Sequence, residues 1–297
     1  MASGIFASGI GAPEGPVTLP DGSMYVTEMS DATLDVCKLS PKGERTVVKK
    51  TGGRPNGLAI DGEGLIWIAE AGHRALVCID PDGREVKRLE GDDQHGRFFF
   101  PNDLVFGPNG NLFMTDSGMA LADFLNGQIF VEGYMDLFWD GRVYEINPKT
   151  MKIVRLIDSK IRFTNGIAFD QSNQLYANAS FTGDIYRYEV FGSQAPKREL
   201  FGNVLQPDNQ TGFKGPDGMK FGLDGRLYCT VYGQQNVTVL DNTGQVAERL
   251  ALAGLCPTNL AFAHSGKRIL VTEVSHGQVE FLDMQCDGVE LFYPKTS

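Results

Sequence analysis

The sequence predicts an all-β fold, a six-bladed β-propeller with four antiparallel strands per blade. Three observations carry this expectation. One strand–turn–strand pattern recurs six times along the 297 residues. Its copies are spaced by 42, 46, 63, 52 and 41 residues, about 49 on average, which is the length of a blade unit. The 36 glycines and 14 prolines are spread along the chain, as many short strands with tight turns require.

The copies are, in order, PEGPVTLPDGSMYVTE (13–28), PNGLAIDGEGLIWIAE (55–70), PNDLVFGPNGNLFMTD (101–116), TNGIAFDQSNQLYANA (164–179), PDGMKFGLDGRLYCTV (216–231) and PTNLAFAHSGKRILVTE (257–273). In each, a short apolar segment such as GLAI enters a turn such as DGEG, where glycine takes positive φ without a Cβ clash. A second strand, such as LIWIAE, runs back. Two more strand-like stretches follow, ALVCID and EVKRLE in the second copy, joined by a PDG turn. The last copy holds one extra residue, Lys267, after its turn. Six such units packed radially bury both faces of each sheet, which a lone four-stranded sheet cannot do. No linker or shift in composition divides the chain, so residues 1–297 are expected to form a single propeller domain. GIFASGI (4–10), ahead of the first copy, is expected to pair with the last blade and close the ring.

The net charge of -10 offers no basic stripe to a phosphate backbone, which excludes nucleic acid as a partner. The five cysteines, Cys37, Cys78, Cys229, Cys256 and Cys286, form no C-x-x-C pair and sit largely in apolar runs, so they read as free thiols in a reducing compartment. The N-terminus lacks the basic start and apolar stretch of a signal peptide, and no run is long enough to span a membrane. The expectation is a soluble cytoplasmic protein, a monomer or small homo-oligomer.

In a propeller every innermost strand starts at the same end of the central channel. The second position of the repeat, Glu14, Asn56, Asn102, Asn165, Asp217 and Thr258, should therefore converge at the pore mouth. Asn and Asp also serve turns, so Glu14 is the informative member: glutamate is a poor turn residue and costly to bury unpaired. If Glu14, Asn102, Asn165 and Asp217 face one another, two carboxylates and two amide oxygens match one divalent cation. With no histidine or cysteine in the set, Ca²⁺ ranks first, then Mg²⁺ or Mn²⁺, with Zn²⁺ a poorer fit.

PEGP at 13–16, PND at 101–103, TNGIAFD at 164–170 and PDGM at 216–219 resemble the senescence marker protein/gluconolactonase family, which includes regucalcin and the luciferin-regenerating enzymes. The resemblance covers essentially the whole chain and keeps the blade order. It implies one divalent ion and hydrolysis of lactones or related esters, with Glu14, Asn165 and Asp217 as metal ligands. Asn102 matches a position that binds the metal or contacts substrate. The implied chemistry is Lewis-acid catalysis, with Asp217 as general base accepting the proton of the attacking water. Diisopropylfluorophosphatase is similar in design, so phosphotriester hydrolysis is an alternative. A non-catalytic calcium-binding propeller that holds a small molecule or peptide is another.

Sugar-lactone members of the family typically carry an arginine two residues before the third-blade asparagine. Here that place is Phe100, which points to a flatter or more apolar ester. The longest interval comes from residues 117–141, an insertion carrying Phe124, Phe130, Tyr134, Phe138 and Trp139, expected to form a lid, a substrate wall or a subunit contact. Asp116 and His276 complete the set of expected substrate contacts, and His73, Phe181 and Tyr232 are placed near the mouth. No G-x-S-x-G elbow or Walker loop occurs, which disfavours serine hydrolase and nucleotide chemistry.

Overall fold

In the computed structural model, which describes residues 2–126, 129–207 and 211–297, six four-stranded antiparallel sheets follow one another in chain order. Their innermost strands are Pro13–Thr18, Pro55–Ile60, Pro101–Phe106, Thr164–Phe169, Gly215–Phe221 and Pro257–Phe262. Each touches the innermost strand of the next blade, and the sixth touches the first, so the ring is closed. The fold is a six-bladed β-propeller. Its last blade takes its outer strand from Ser3–Ser8, which pairs with Gln278–Asp283.

Burial follows position in the blade. Second strands such as Ile66–Glu70 and Leu112–Asp116 are buried at every residue, because a neighbouring blade covers each face. Outer strands such as Glu85–Leu89 carry the exposed charges. Between blades 2 and 3, Trp67, Phe106, Met114 and Tyr144 share one apolar cluster. Burial of each such side chain is worth about 1.5–3 kcal/mol. Lys267, the extra residue of the sixth copy, is absorbed in the left-handed region at φ 45°.

Two local devices repeat around the ring. The first is a register break at the same place in all six innermost strands, between Glu14 and Val17 in blade 1 and between Pro101 and Leu104 in blade 3, for example. A bulge removes residues from the ladder and re-aims their side chains, here toward the channel. The carbonyls it frees are taken by the next-door blade: Thr27 Oγ1 donates to Asn56 O, Thr115 Oγ1 to Asn165 O, and Thr230 Oγ1 to Thr258 O. The second device is a buried carboxylate at the end of the second strand. Glu28, Glu70, Asp116 and Glu273 each accept backbone N–H groups from the loop entering their own blade.

Chain termini and insertion occupy opposite faces. The insertion in blade 3 holds a short helix, Leu121–Phe124, and a 3-10 turn, Tyr134–Asp136, and Asp140 N–H donates to Gly118 O at its neck. After the last strand the chain crosses the other end of the channel. Gly288 bridges Gly222, Val289 N–H donates to Phe221 O, and Thr296 N–H reaches Glu63 Oε2. No helix among the described residues is long and apolar enough to cross a membrane.

Candidate active site

The inner-strand bulges bring Glu14, Asn102, Asn165 and Asp217, from blades 1, 3, 4 and 5, to one end of the channel, all of them buried. Burial pushes the Glu14 carboxyl well above the usual range. The charges of Asp217 and Asp103 add to this, and the Asn259 amide and Lys220 oppose it. Asp217 is raised in the same way, by burial first and then by Asp103, against the Asn165 amide and the Gly218 N–H. Carboxyls from three blades therefore sense one another across the channel.

The amides complete the picture. Asn102 Nδ2 donates to Ser117 Oγ at 2.9 Å, and that hydroxyl donates to Thr164 O at 2.8 Å, so the orientation of the Asn102 amide is set. Its Oδ1 is buried and has no hydrogen-bond partner, and the same holds for Asn165 Oδ1. A buried acceptor left without a donor costs about 1–3 kcal/mol. Two such oxygens, at the same end of the channel as two carboxyls that burial pushes up, make a donor set suited to a hard cation. Asp103 is partly balanced by Lys220, whose Nζ lies 3.9 Å from Asp103 Oδ2. That leaves a charge of about -2 from Glu14 and Asp217, which one divalent ion neutralises. The residues present fit such an ion.

Asp103 and Asn259 belong to this site and were not singled out from the sequence. They occupy the third position of the repeat, where the other four blades have glycine. That departure was the available signal. A Cβ on Gly57 would lie 2.5 Å from Asp103 Oδ1, so the small column leaves the space the larger side chains use. Asn259 Nδ2 lies 3.3 Å from Glu14 Oε2 and 3.5 Å from Asp103 Oδ2, joining the two acids. Asn178 is a third omission: its Nδ2 donates to Asp217 O at 2.6 Å, and it too has a partnerless buried Oδ1. Thr258 spends its hydroxyl on Pro13 O and Thr272, and so ties blades together.

Aromatic side chains gather at the same end. Phe100, Phe124, Trp139, Phe163 and Phe181 are buried in one cluster, with Phe130, Tyr134 and Phe213 packed against it. Phe100 stacks on Phe124 at 5.7 Å, and Trp139 meets Phe124, Phe163 and Phe181 at 4.8–5.0 Å. Four of the five aromatics of the insertion thus face inward. Phe138 does not: it is 76% exposed, and with Ile129, Met135 and Leu137 forms the outer surface of the insertion. Phe163 sits at φ 60°, in the left-handed region, two residues before Asn165.

Asp116 is fully buried, and its oxygens accept the N–H groups of Phe99, Phe100 and Gly118. Burial raises its carboxyl, and these three donors and Arg142 hold it back. Its direct contacts are therefore with the loop that presents Phe100. His276 stands on the rim with its side chain 57% exposed, and its Nδ1 is 3.5 Å from Glu273 Oε2. Arg54 holds in blade 2 the place Phe100 holds in blade 3. It lines a cleft of about 340 Å³ together with His73 and with Leu121 and Leu125 of the insertion.

The chain is 26% identical over 301 residues to the gluconolactonase of Zymomonas mobilis, covering 93% of this chain and 79% of that protein. Of four Arabidopsis thaliana strictosidine synthase-like proteins that also match, it spans 44–53% of the length. Among solved structures, a gluconolactonase of Xanthomonas campestris superposes with a TM-score of 0.76 at 20% identity, over 97% of this chain and 89% of that one. A calcium-binding regucalcin of Agrobacterium tumefaciens gives 0.76 at 18% identity, over 100% and 97%. The profile of the SMP-30/Gluconolactonase/LRE-like region matches residues 5–94 and 90–275, nearly the whole propeller. The chain belongs to that family.

Proposed function

We propose that the protein is a divalent-metal-dependent hydrolase of small lactones or related esters, with Ca²⁺ as the first choice of ion. The observation that carries this reading is the buried oxygen set at one end of the channel, the carboxyls of Glu14 and Asp217 and the partnerless Oδ1 atoms of Asn102 and Asn165. The likeness to a gluconolactonase and to a calcium-binding regucalcin supports both the reaction class and the ion.

Glu14, Asn165, Asp217 and Asn102 would hold the cation. When bound, it supplies Lewis-acid polarisation of the scissile carbonyl and a counter-charge for the oxyanion. Asp217 acts as general base, taking the proton of the attacking water at its carboxylate. Burial and the Asp103 charge raise its proton affinity, which suits that task. Asn102, held through Ser117, orients the substrate beside it. Phe100 and its aromatic neighbours offer apolar faces and few donors, so the favoured substrate is a flat or apolar lactone rather than a polyhydroxylated one. Asp116 is a positioning residue for Phe100, and His276 and Arg54 meet substrate at the rim. The free cysteines, three of them buried, support a reducing, cytoplasmic setting.

The test is a panel of lactones and aryl esters assayed on metal-stripped and calcium-restored protein. Turnover should fall at least 100-fold on stripping and return with calcium. Asp217→Asn should keep the fold and lose about 10²–10⁴-fold in kcat, the usual worth of a general base. Turnover unchanged after complete metal removal would reject the proposal.

A further inference from the structure

A cavity of about 350 Å³ lies at the opposite end of the channel from the oxygen cage. Its walls are the far halves of the innermost strands, including Val17, Ile60, Val105, Phe169 and Phe262, and its floor is the segment 287–293. That segment is held in place at both ends, by the Gly222–Gly288 bridge and by Thr296 on Glu63 and Asp61. The volume holds about a dozen water-sized groups at about 30 Å³ each.

Polar side chains in the lining are mostly spent on the protein. Thr18 Oγ1 donates to Phe262 O at 2.7 Å, and His264 Nε2 is 3.0 Å from Thr18 O. Lys220 differs. Its side chain is only 16% exposed, one N–H is given to Met219 O at 3.1 Å, and the ammonium faces Asp103 Oδ2 at 3.9 Å. An ammonium has three N–H groups, so a donor remains for the cavity. A largely apolar chamber with one donor at its inner end has the make-up of a small-molecule site. Asp103 already offsets the Lys220 charge, and Asp287 and Glu290 stand at the lining, so an anion is disfavoured and a neutral ligand fits.

We infer that this chamber is a second binding site, for a neutral apolar molecule of about ten non-hydrogen atoms with one hydrogen-bond acceptor, and that its occupancy is felt at the catalytic mouth. The link is a chain of three contacts. Lys220 Nζ faces Asp103 Oδ2, Asp103 Oδ2 is 3.5 Å from Asn259 Nδ2, and that amide is 3.3 Å from Glu14 Oε2. An acceptor that draws Lys220 inward weakens its hold on Asp103, leaving more negative charge beside Glu14. The chamber stands independently of the hydrolase reading; the link rests on the cation site of that reading.

The test uses 2-nonanone as probe, titrated calorimetrically into full-length calcium-loaded protein, with nonanoate as the charged comparison. Saturable binding of the ketone, at least tenfold tighter than nonanoate, is expected. Lys220→Met should weaken it about tenfold. Ala59→Phe and Ala261→Phe, from different blades, each fill the chamber and should abolish it, so one that fails to fold leaves the other. No saturable binding, binding that survives both fillings, or tighter binding of nonanoate would overturn the site. Saturating ketone should also change calcium affinity at least twofold in the wild type and not in Lys220→Met. Ketone binding with unchanged calcium affinity would refute the link. Absence of calcium binding altogether would count against the hydrolase reading alone.

Discussion

Phe163 offers a test in which the ordinary rule for glycine should reverse. The residue is 6% exposed and meets five rings, those of Phe100, Phe124, Trp139, Phe181 and Phe213, at 5.0–6.2 Å. Removing a buried phenylalanine side chain costs about 3–5 kcal/mol. Phe163→Ala should fall in that range, because the Cβ that makes φ 60° unfavourable is retained. Phe163→Gly loses the same ring but is freed of the left-handed penalty, worth about 1–2 kcal/mol. Elsewhere alanine is the more stabilising of the two, since glycine gives the unfolded chain more freedom. Here glycine should win by about 1 kcal/mol. Equilibrium urea unfolding of the two variants measures the difference directly. An alanine variant as stable as the glycine one, or more so, would refute the argument that the aromatic roof holds its central residue under backbone strain. Both variants should also raise KM for an apolar lactone, since Phe163 belongs to the aromatic cluster and directly precedes the strand that carries Asn165.

Other outcomes follow from the same geometry. At calcium one hundred times Kd, stabilisation of about 2.7 kcal/mol divided by an unfolding entropy of about 0.6 kcal/mol/K for a chain of this length gives a Tm rise of about 4 °C by calorimetry; Glu14→Gln should lose most of it, and an equal rise in that variant would remove Glu14 from the cage. Asp116→Ala leaves three backbone N–H groups without their acceptor and should cost about 3 kcal/mol and raise KM more than it lowers kcat; an unaltered KM would deny it the positioning of Phe100. Burial pushes the Cys78 thiol up to about 12 and raises Cys37 and Cys229 as well, so at pH 8 a thiol reagent should label at most Cys256 and Cys286 in the native protein. Labelling of Cys78 should begin only as pH rises toward that value, and five fast thiols at pH 8 would contradict the burial.

What the sequence made legible is what repeats locally. Strand, turn and strand are written in neighbouring residues, so six copies reveal six blades, and the shared phase of Glu14, Asn102, Asn165 and Asp217 places them at one mouth. Residues whose roles depend on something non-repeating were harder. Asp103 and Asn259 stand out from a glycine column only once the bulge is known to turn that column toward the channel. Asp116 is a carboxylate near the mouth in either role, and only the backbone N–H groups around it show that it fastens a loop. Phe138 lies in an insertion with no second copy to set its phase, and it turned outward although its aromatic neighbours turned in. The segment crossing the far end of the channel is ordered by partners more than 200 residues away, such as Glu63 for Thr296, and no local pattern announces that.

Two buried acidic clusters in the same chain show why unsatisfied groups, rather than acidity, mark the site. In blade 1, Glu28, Asp35 and Cys37 bring oxygen and sulfur atoms within 4.8 Å of one another, a spacing that could also suggest a metal. Yet Arg45 reaches both carboxylates, Gly11 N–H and Cys37 Sγ supply further donors, and although burial raises Glu28 these partners bring it below the usual range. That cluster is complete without a cation, and an added charge would have to displace an arginine. At the channel mouth the balance runs the other way. One lysine, Lys220, faces the three carboxyls from beside Asp103, burial and neighbouring carboxylates push Glu14 and Asp217 up, and the Asn102 and Asn165 amide oxygens meet no donor. Folding tolerates unsatisfied buried groups only where something outside the chain satisfies them or where strain is kept for function. The oxygen-only donor set suits a hard divalent cation, which is the partner that the proposed hydrolysis of an ester carbonyl calls for.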